Sequence, residues 1–139
     1  MMWTATIWGQ PISVNDIYEI VWRYSSTGRR YKGIGKKDTA VKYQDDATLQ
    51  VRVAKPSGWI PSGQVRITID AFLSNDIDCD NLSKILMDAI QSATGINDRM
   101  FLSCWRSKSI GNKQPRLVLE FSDAKAGVCH CRPNNGESD

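Results

Sequence analysis

The sequence predicts a single α/β (α+β) domain in which a mixed, largely antiparallel sheet is packed by two main helices. Three observations carry that expectation. Bulky apolar residues alternate with polar ones over residues 3–8, 65–73 and 116–121, the period of a strand with one buried face. Two other stretches, 38–54 and 81–92, space their apolar residues every three to four positions, as an amphipathic helix does. The 139 residues are 41% apolar, enough for one core and too few for two. The domain is expected to occupy residues 1–122. A tail of 123–139, dominated by Gly, Asn, Ser and charge, is expected to be disordered.

Taken in order, Trp3 to Trp8 sets threonine between bulky apolar side chains and reads as a first strand, ended by Gly9-Gln10-Pro11. Residues 20–36 place Val21-Trp22-Arg23-Tyr24 and Arg29-Arg30-Tyr31-Lys32-Gly33 on either side of Ser25-Ser26-Thr27-Gly28, the pattern of a hairpin or a mobile basic loop. Asp38 is placed to cap a helix that carries Ala40, Tyr43, Ala47, Val51 and Ala54 inward. Lys55-Pro56-Ser57-Gly58 stops it. A strand follows from Val65 to Leu73, then a helix whose stripe is Leu82, Ile85, Leu86, Ala89, Ile90 and Ala93, ended by Thr94-Gly95. Two more strands, 100–108 and 116–121, are joined by a polar loop of hairpin-like span.

Charge is distributed unevenly. Residues 22–56 hold nine Lys or Arg against three Asp, whereas residues 76–98 hold five Asp against Lys84 alone. A basic surface beside an acidic pocket suits a polyanion whose backbone is to be cut, because phosphates need both attraction and a bridging cation. An ordinary solvated basic face is the plainer reading of the same run. Arg23, Arg29, Arg30, Lys32, Lys36 and Lys37 are the candidate phosphate contacts, and the tyrosines among them suit base or sugar stacking.

The carboxylates gather where a strand hands over to a helix: Asp78-Cys79-Asp80-Asn81-Leu82-Ser83-Lys84, then Asp88, then Asn97-Asp98. In extended chain Asp78 and Asp80 project to one side. On the helix Asn81, Lys84 and Asp88 share a polar face, with Lys84 one turn from Asp80. An oxygen-lined site without histidine favours magnesium or manganese over zinc. Asp98 joins the pair only if the fold brings the two ends of that helix together. Plainer readings compete. Asp80 could serve as a helix N-cap, although that leaves Asp76, Asp78 and Asp98 unexplained. The carboxylates could instead pair with the basic loop as a structural network. An EF-hand start is excluded by Asn81 and Met87, where that loop needs glycine and glutamate.

The order Asp-x-Asp-Asn-Leu-x-Lys-x3-Asp-Ala-Ile followed by Asn-Asp resembles the RusA family of Holliday-junction resolvases, small endonucleases of bacteria and their phages. Gly9-Gln10-Pro11-Ile12-Ser13-Val14-Asn15, with Tyr18 nearby, is similar to the family's early Pro-x-Ser-x-Asn segment and tyrosine. The resemblance spans residues 3–122 in element order. It implies a RusA-like fold and a homodimer that binds four-way DNA junctions and makes paired, Mg2+-dependent nicks, with Mn2+ as an alternative ion. It further implies Asp78, Asp80 and Asp98 as catalytic metal ligands, Lys84 as the functional lysine, Asn81 and Asp88 as supporting residues, and Asn15 and Tyr18 among the DNA contacts. Asn97-Asp98 stands where some members have two adjacent acidic residues.

Rival functions are a DNA-binding protein that does not cut, and a nucleotide phosphohydrolase, which would lack a phosphate-cradling glycine loop here. No apolar run reaches the roughly 20 residues of a membrane span, and the first residues lack the charged start of a signal peptide, so a soluble cytoplasmic protein is expected. Cys79, Cys104, Cys129 and Cys131 show no disulfide-framework spacing. Cys129-His130-Cys131 lacks the second ligand pair of a structural zinc site and reads as tail.

Overall fold

The computed structural model describes residues 2–124. The expected Cys129-His130-Cys131 tail lies outside them. Eight elements follow one another: β1 (Trp3–Trp8), β2 (Tyr18–Tyr24), β3 (Arg30–Lys36), α1 (Asp38–Ala54), β4 (Val65–Phe72), α2 (Asp80–Thr94), β5 (Phe101–Ser109) and β6 (Arg116–Asp123). Short 3-10 turns at Val14–Asp16 and Asp98–Met100 join them. The mixed α and β composition, the two helices and the mostly antiparallel pairing match the expected class.

The main sheet has the order β1-β6-β4-β5. β1 and β4 run antiparallel to β6, while β4 and β5 run parallel. Residues 100–108 and 116–121 are therefore strands, but they are not a hairpin: β5 and β6 lie on opposite sides of β4, and the polar loop between them passes over its end. Alternation says which face of a strand is buried and nothing about its neighbour.

A parallel pair needs a crossover, and α2 supplies it between β4 and β5. Its stripe, Leu82, Ile85, Leu86, Ala89 and Ile90, is at most 3% exposed and meets Val65, Ile67, Ile69 and Ala71 of β4, Leu117, Leu119 and Phe121 of β6, and Ala40, Ala47 and Val51 of α1 in one core. Trp3 stacks on Phe121 at a centroid distance of 3.9 Å, and Trp59 meets Trp3 edge-on at 5.3 Å. Gly95 ends α2 in the left-handed region, φ 73°, where only glycine is unstrained. The cap of α1 differs from expectation, and that of α2 from the competing reading of Asp80 as an N-cap. Lys37 holds the cap position of α1, so Asp38 is its first residue; Cys79 holds that of α2, so Asp80 favours the positive end of the helix as its first residue rather than as its cap. Among the described residues no helix is long and apolar enough to cross a membrane.

β2 and β3 form a separate two-stranded ribbon. It rises from the 3-10 turn at Val14–Asp16, which also lies against α2, and is rooted by buried Ile17, whose carbonyl accepts from the Lys37 amide at 2.8 Å.

Candidate active site

The carboxylates at 76 and 78 lie in the loop leaving the C-terminal end of β4 and that of Asp80 opens α2 directly after it, where parallel α/β units place their ligand sites. That loop is braced from distant segments. The Ser74 amide donates to Gln10 Oε1 at 2.8 Å, and Asn112 donates to the Leu73 carbonyl through its amide at 2.9 Å and its side chain at 3.0 Å. Lys108 at the end of β5 donates to Asp76 Oδ1 at 2.8 Å and reaches the Ile77 carbonyl at 3.4 Å. That bond to Asp76 holds the Lys108 ammonium above its ordinary pKa. The Asp80 amide then donates to Asp78 Oδ1 at 3.1 Å, tying the last loop carboxylate to the first residue of α2. Between them the half-buried Cys79 thiol is pushed up chiefly by burial, against the opposing charge of Lys108, and the surrounding aspartates push it further.

The five aspartates divide by partner. Asp76 takes Lys108 at 2.8 Å and Asp88 takes Lys84 at 3.7 Å. Asp78, Asp80 and Asp98 are exposed and make no ion pair among the described residues. Asn81 is half-buried beside them on α2, its amide bonded to the Asp78 carbonyl at 2.9 Å.

Asp98 sits elsewhere. Its amide donates to Gln91 Oε1 at 3.0 Å, near the far end of α2. Val65 of β4 is aligned with Phe101 of β5, and Phe72 with Ser109, so the segment before β5 and the loop after β4 lie at opposite ends of the sheet. The eleven helical steps from residue 80 to residue 91 span about 16 Å, whereas ligands of one magnesium ion lie about 2.1 Å from it. In agreement, the described residues of one chain hold no group of three or more His, Cys, Asp or Glu able to bind a metal.

The six expected basic contacts lie on or beside the ribbon. Arg23 donates to the Ile34 carbonyl at 2.8 Å, Lys36 donates to Gln44 Oε1 at 3.1 Å, and Arg30 lies 3.7 Å over the Trp22 ring centroid. Arg29 sits at the turn and Lys37 at the start of α1, with Lys32 opposite Trp22. None of the six has a carboxylate partner among the described residues. Tyr18 opens β2, and Asn15 is exposed in the turn below it. Sequence reasoning missed Gln10, Asn112 and Lys108, whose partners are 32 to 64 residues away. The only local sign was that Gln10 and Asn112 stand in loops flanking strands.

A strand-loop-helix unit with two carboxylates that lack an ion pair among the described residues, in a chain whose ribbon carries cations likewise without carboxylate partners there, is suited to phosphodiester chemistry. The family described as endodeoxyribonuclease RusA matches residues 23–122. The chain belongs to the RusA endodeoxyribonuclease family. It is thus a DNA endonuclease of the Holliday-junction resolvase class, a class whose members are generally metal-dependent and bind branched DNA. That membership removes the non-cutting DNA binder from contention. The match begins at Arg23, so the early Pro-x-Ser-x-Asn segment lies outside it. None of the curated proteins matches the chain.

Proposed function

We propose that this RusA-family endonuclease acts in the cytoplasm as a homodimer that resolves four-way junctions by paired nicks, with Mg2+ as its ion and Mn2+ as a substitute. The supporting observation is the division among the aspartates: Asp76 and Asp88 are neutralised by lysines, while Asp78, Asp80 and Asp98 are left for an external cation. The donor set fits a hard divalent ion, since it is oxygen throughout and exposed to water. Two such carboxylates on one chain are too few, and Asp98 of the same chain is too far. In a twofold dimer whose axis crosses the middle of α2, the far end of one helix meets the near end of the other. The site then consists of Asp78 and Asp80 of one protomer and the partner's Asp98, twice per dimer, which gives one nick on each of two strands.

When bound, the ion supplies an activated water and neutralises charge developing on the phosphodiester. The protein's own residues do the rest. Asp78 and Asp80 are held in register by the bond between the Asp80 amide and Asp78 Oδ1. Lys84, one turn along α2 and 55% exposed, is loosely held by Asp88 and swings to the non-bridging oxygens of the scissile phosphate. Asn81 and Asp88 steer these two groups. Lys108 keeps the loop attached to β5 by engaging Asp76. Arg23, Arg29, Arg30, Lys32, Lys36 and Lys37 hold the junction arms through phosphate contacts that fix position without reading sequence, and Asn15 and Tyr18 are further DNA contacts.

The test is cleavage of a synthetic four-way junction against a linear duplex of the same sequence. Paired nicks in the junction with Mg2+ or Mn2+, and none with a chelator, are expected. Asp80→Asn should abolish nicking and leave junction binding within about threefold, because the carboxylate acts on the ion and not on the arms. Cutting by that variant at the parent's rate overturns the ligand assignment.

A further inference from the structure

The ribbon carries more than charge. Its register sets Tyr18 opposite Lys36, Ile20 opposite Ile34, Trp22 opposite Lys32 and Tyr24 opposite Arg30, all on one face. The apolar side chains of that face remain in water: Tyr18 is 44% exposed, Trp22 50%, Tyr24 69%, Ile20 69% and Ile34 71%. A small protein seldom leaves so much aromatic and aliphatic surface in one patch unless something covers it. The opposite face is thin and stiff. Gly33 and Gly35 leave room for Arg23 to lie flat across the strand and bond the Ile34 carbonyl, and a Cβ at Gly33 would come within 2.7 Å of Arg23 Cδ.

We propose that the Tyr18, Trp22 and Tyr24 face of the β2–β3 ribbon is a stacking platform for unpaired bases at the centre of branched DNA. The idea rests on the reading of branched DNA as substrate, and adds what part of it is gripped and how. Bases within a continuous duplex hide their flat faces in the stack and offer only their edges, whereas bases at a branch point can be splayed onto aromatic rings. The cations interleaved with those rings, Arg30, Lys32 and Lys36, match the phosphates that accompany each base. Arg30 already occupies a base-like place, its guanidinium 3.7 Å over the Trp22 ring, with Lys32 Nζ at 5.6 Å. On binding, a base takes that ring face and Arg30 turns to the adjoining phosphate. A second copy is a poorer occupant, because a twofold contact of this face with itself would bring its cations together.

Binding is measured without divalent ion, so that the substrate survives, on a junction with 2-aminopurine at the branch point, on a linear duplex and on single-stranded oligo-dT. The Trp22→Ala/Tyr24→Ala variant removes exposed side chains only, and circular dichroism checks its fold. Relative to the parent it should bind the junction roughly tenfold or more weakly, lose the 2-aminopurine signal, and bind duplex within about twofold. Its dependence on salt should match the parent's, whereas Lys32→Ala, which removes one phosphate contact from each protomer, should lower the slope of log K against log salt by about 2. Parent-like junction binding by the aromatic variant, or equal losses on junction and duplex, overturns the platform. So does a shift from dimer to monomer with junction binding retained, which would make this face an interface between copies. A parent that ignores junctions but binds oligo-dT through Trp22 and Tyr24 upholds the platform and sinks the junction reading; a parent that binds neither overturns both.

Discussion

If each metal site takes Asp78 and Asp80 from one protomer and Asp98 from the other, two inactive variants should repair each other. The geometry makes the alternative hard to satisfy. From the β4 loop to the turn before β5 the chain traverses α2, whose 15 residues cover about 22 Å. No side-chain rotation closes that gap. Consider Asp80→Asn and Asp98→Asn, refolded together so that protomers pair at random. Half of the dimers are then mixed, and in each mixed dimer one site collects both substitutions while the other is fully native. About a quarter of all sites should therefore regain native composition, starting from two inactive preparations. The assay is cleavage of a labelled junction resolved on denaturing and native gels. Because a repaired dimer has a single working site, the product should be singly nicked junction rather than resolved duplexes. A mixture of Asp78→Asn with Asp80→Asn provides the control, since both defects fall on the same side of every site and no native site can form. Failure of the first mixture to recover, with mixed dimers verified by mass, refutes the shared site. Equal recovery in the control mixture refutes it too, and full activity of Asp98→Asn alone removes Asp98 from the ligand set.

Other predictions concern the scaffold. Asp70 is held below the usual carboxylate range mainly by the side-chain hydrogen bond from Arg106, at 2.6 Å, with Ser107 assisting, while burial opposes the shift. Its folded pKa is thus below its unfolded one, so its stabilisation is present above about pH 4 and is lost as pH falls through the folded value. Asp70→Asn should cost about 1 kcal/mol in urea unfolding at pH 7, discounted for the half-exposed Arg106, and the difference from the parent should fade in acid. A gap that persists undiminished at low pH would contradict this. Lys108→Ala should loosen residues 76–79, seen as faster amide exchange there than in β4, and should slow nicking more than it weakens junction binding. Unchanged exchange would show that the loop does not depend on that lysine.

How far these features could be read in advance depends on the range of the interactions that create them. The helices and strands were legible because period is local: Leu82, Ile85, Leu86, Ala89 and Ile90 announce α2 with no knowledge of what covers them. The ribbon was legible from its turn, where the Gly28 amide bonds the Ser25 carbonyl at 2.9 Å. The sheet order was not. Residues 116–121 alternate in the same way whether they pair with 100–108 or flank β4, and only the pairing of β4 on both of its edges decides. At the site, sequence put Asp78 and Asp80 on one side of an extended chain and left the position of Asp98 open, whereas Cys79 between the first two takes helical angles, φ −59° and ψ −33°. What it could not show was which aspartates are already paired, because Lys108 reaches Asp76 across 32 positions.

That pairing bears on how the site tolerates itself. An exposed carboxylate without a partner costs little in water, so Asp78 and Asp80 can stand together on the solvent side of α2, where the positive end of the helix offsets part of their charge. The two lysines engage the carboxylates that flank the pair, one before and one after, and leave Asp78 and Asp80 without an ion bridge among the described residues. A buried or lysine-bridged pair would be more self-sufficient and less able to accept an ion. The same reasoning applies to the ribbon, whose cations lack acidic partners among the described residues and whose rings lack a core. In both places the chain forgoes internal compensation at its surface, while the core beneath, with Ile67, Ile69, Leu82 and Ile90 fully enclosed, supplies the stability that permits it.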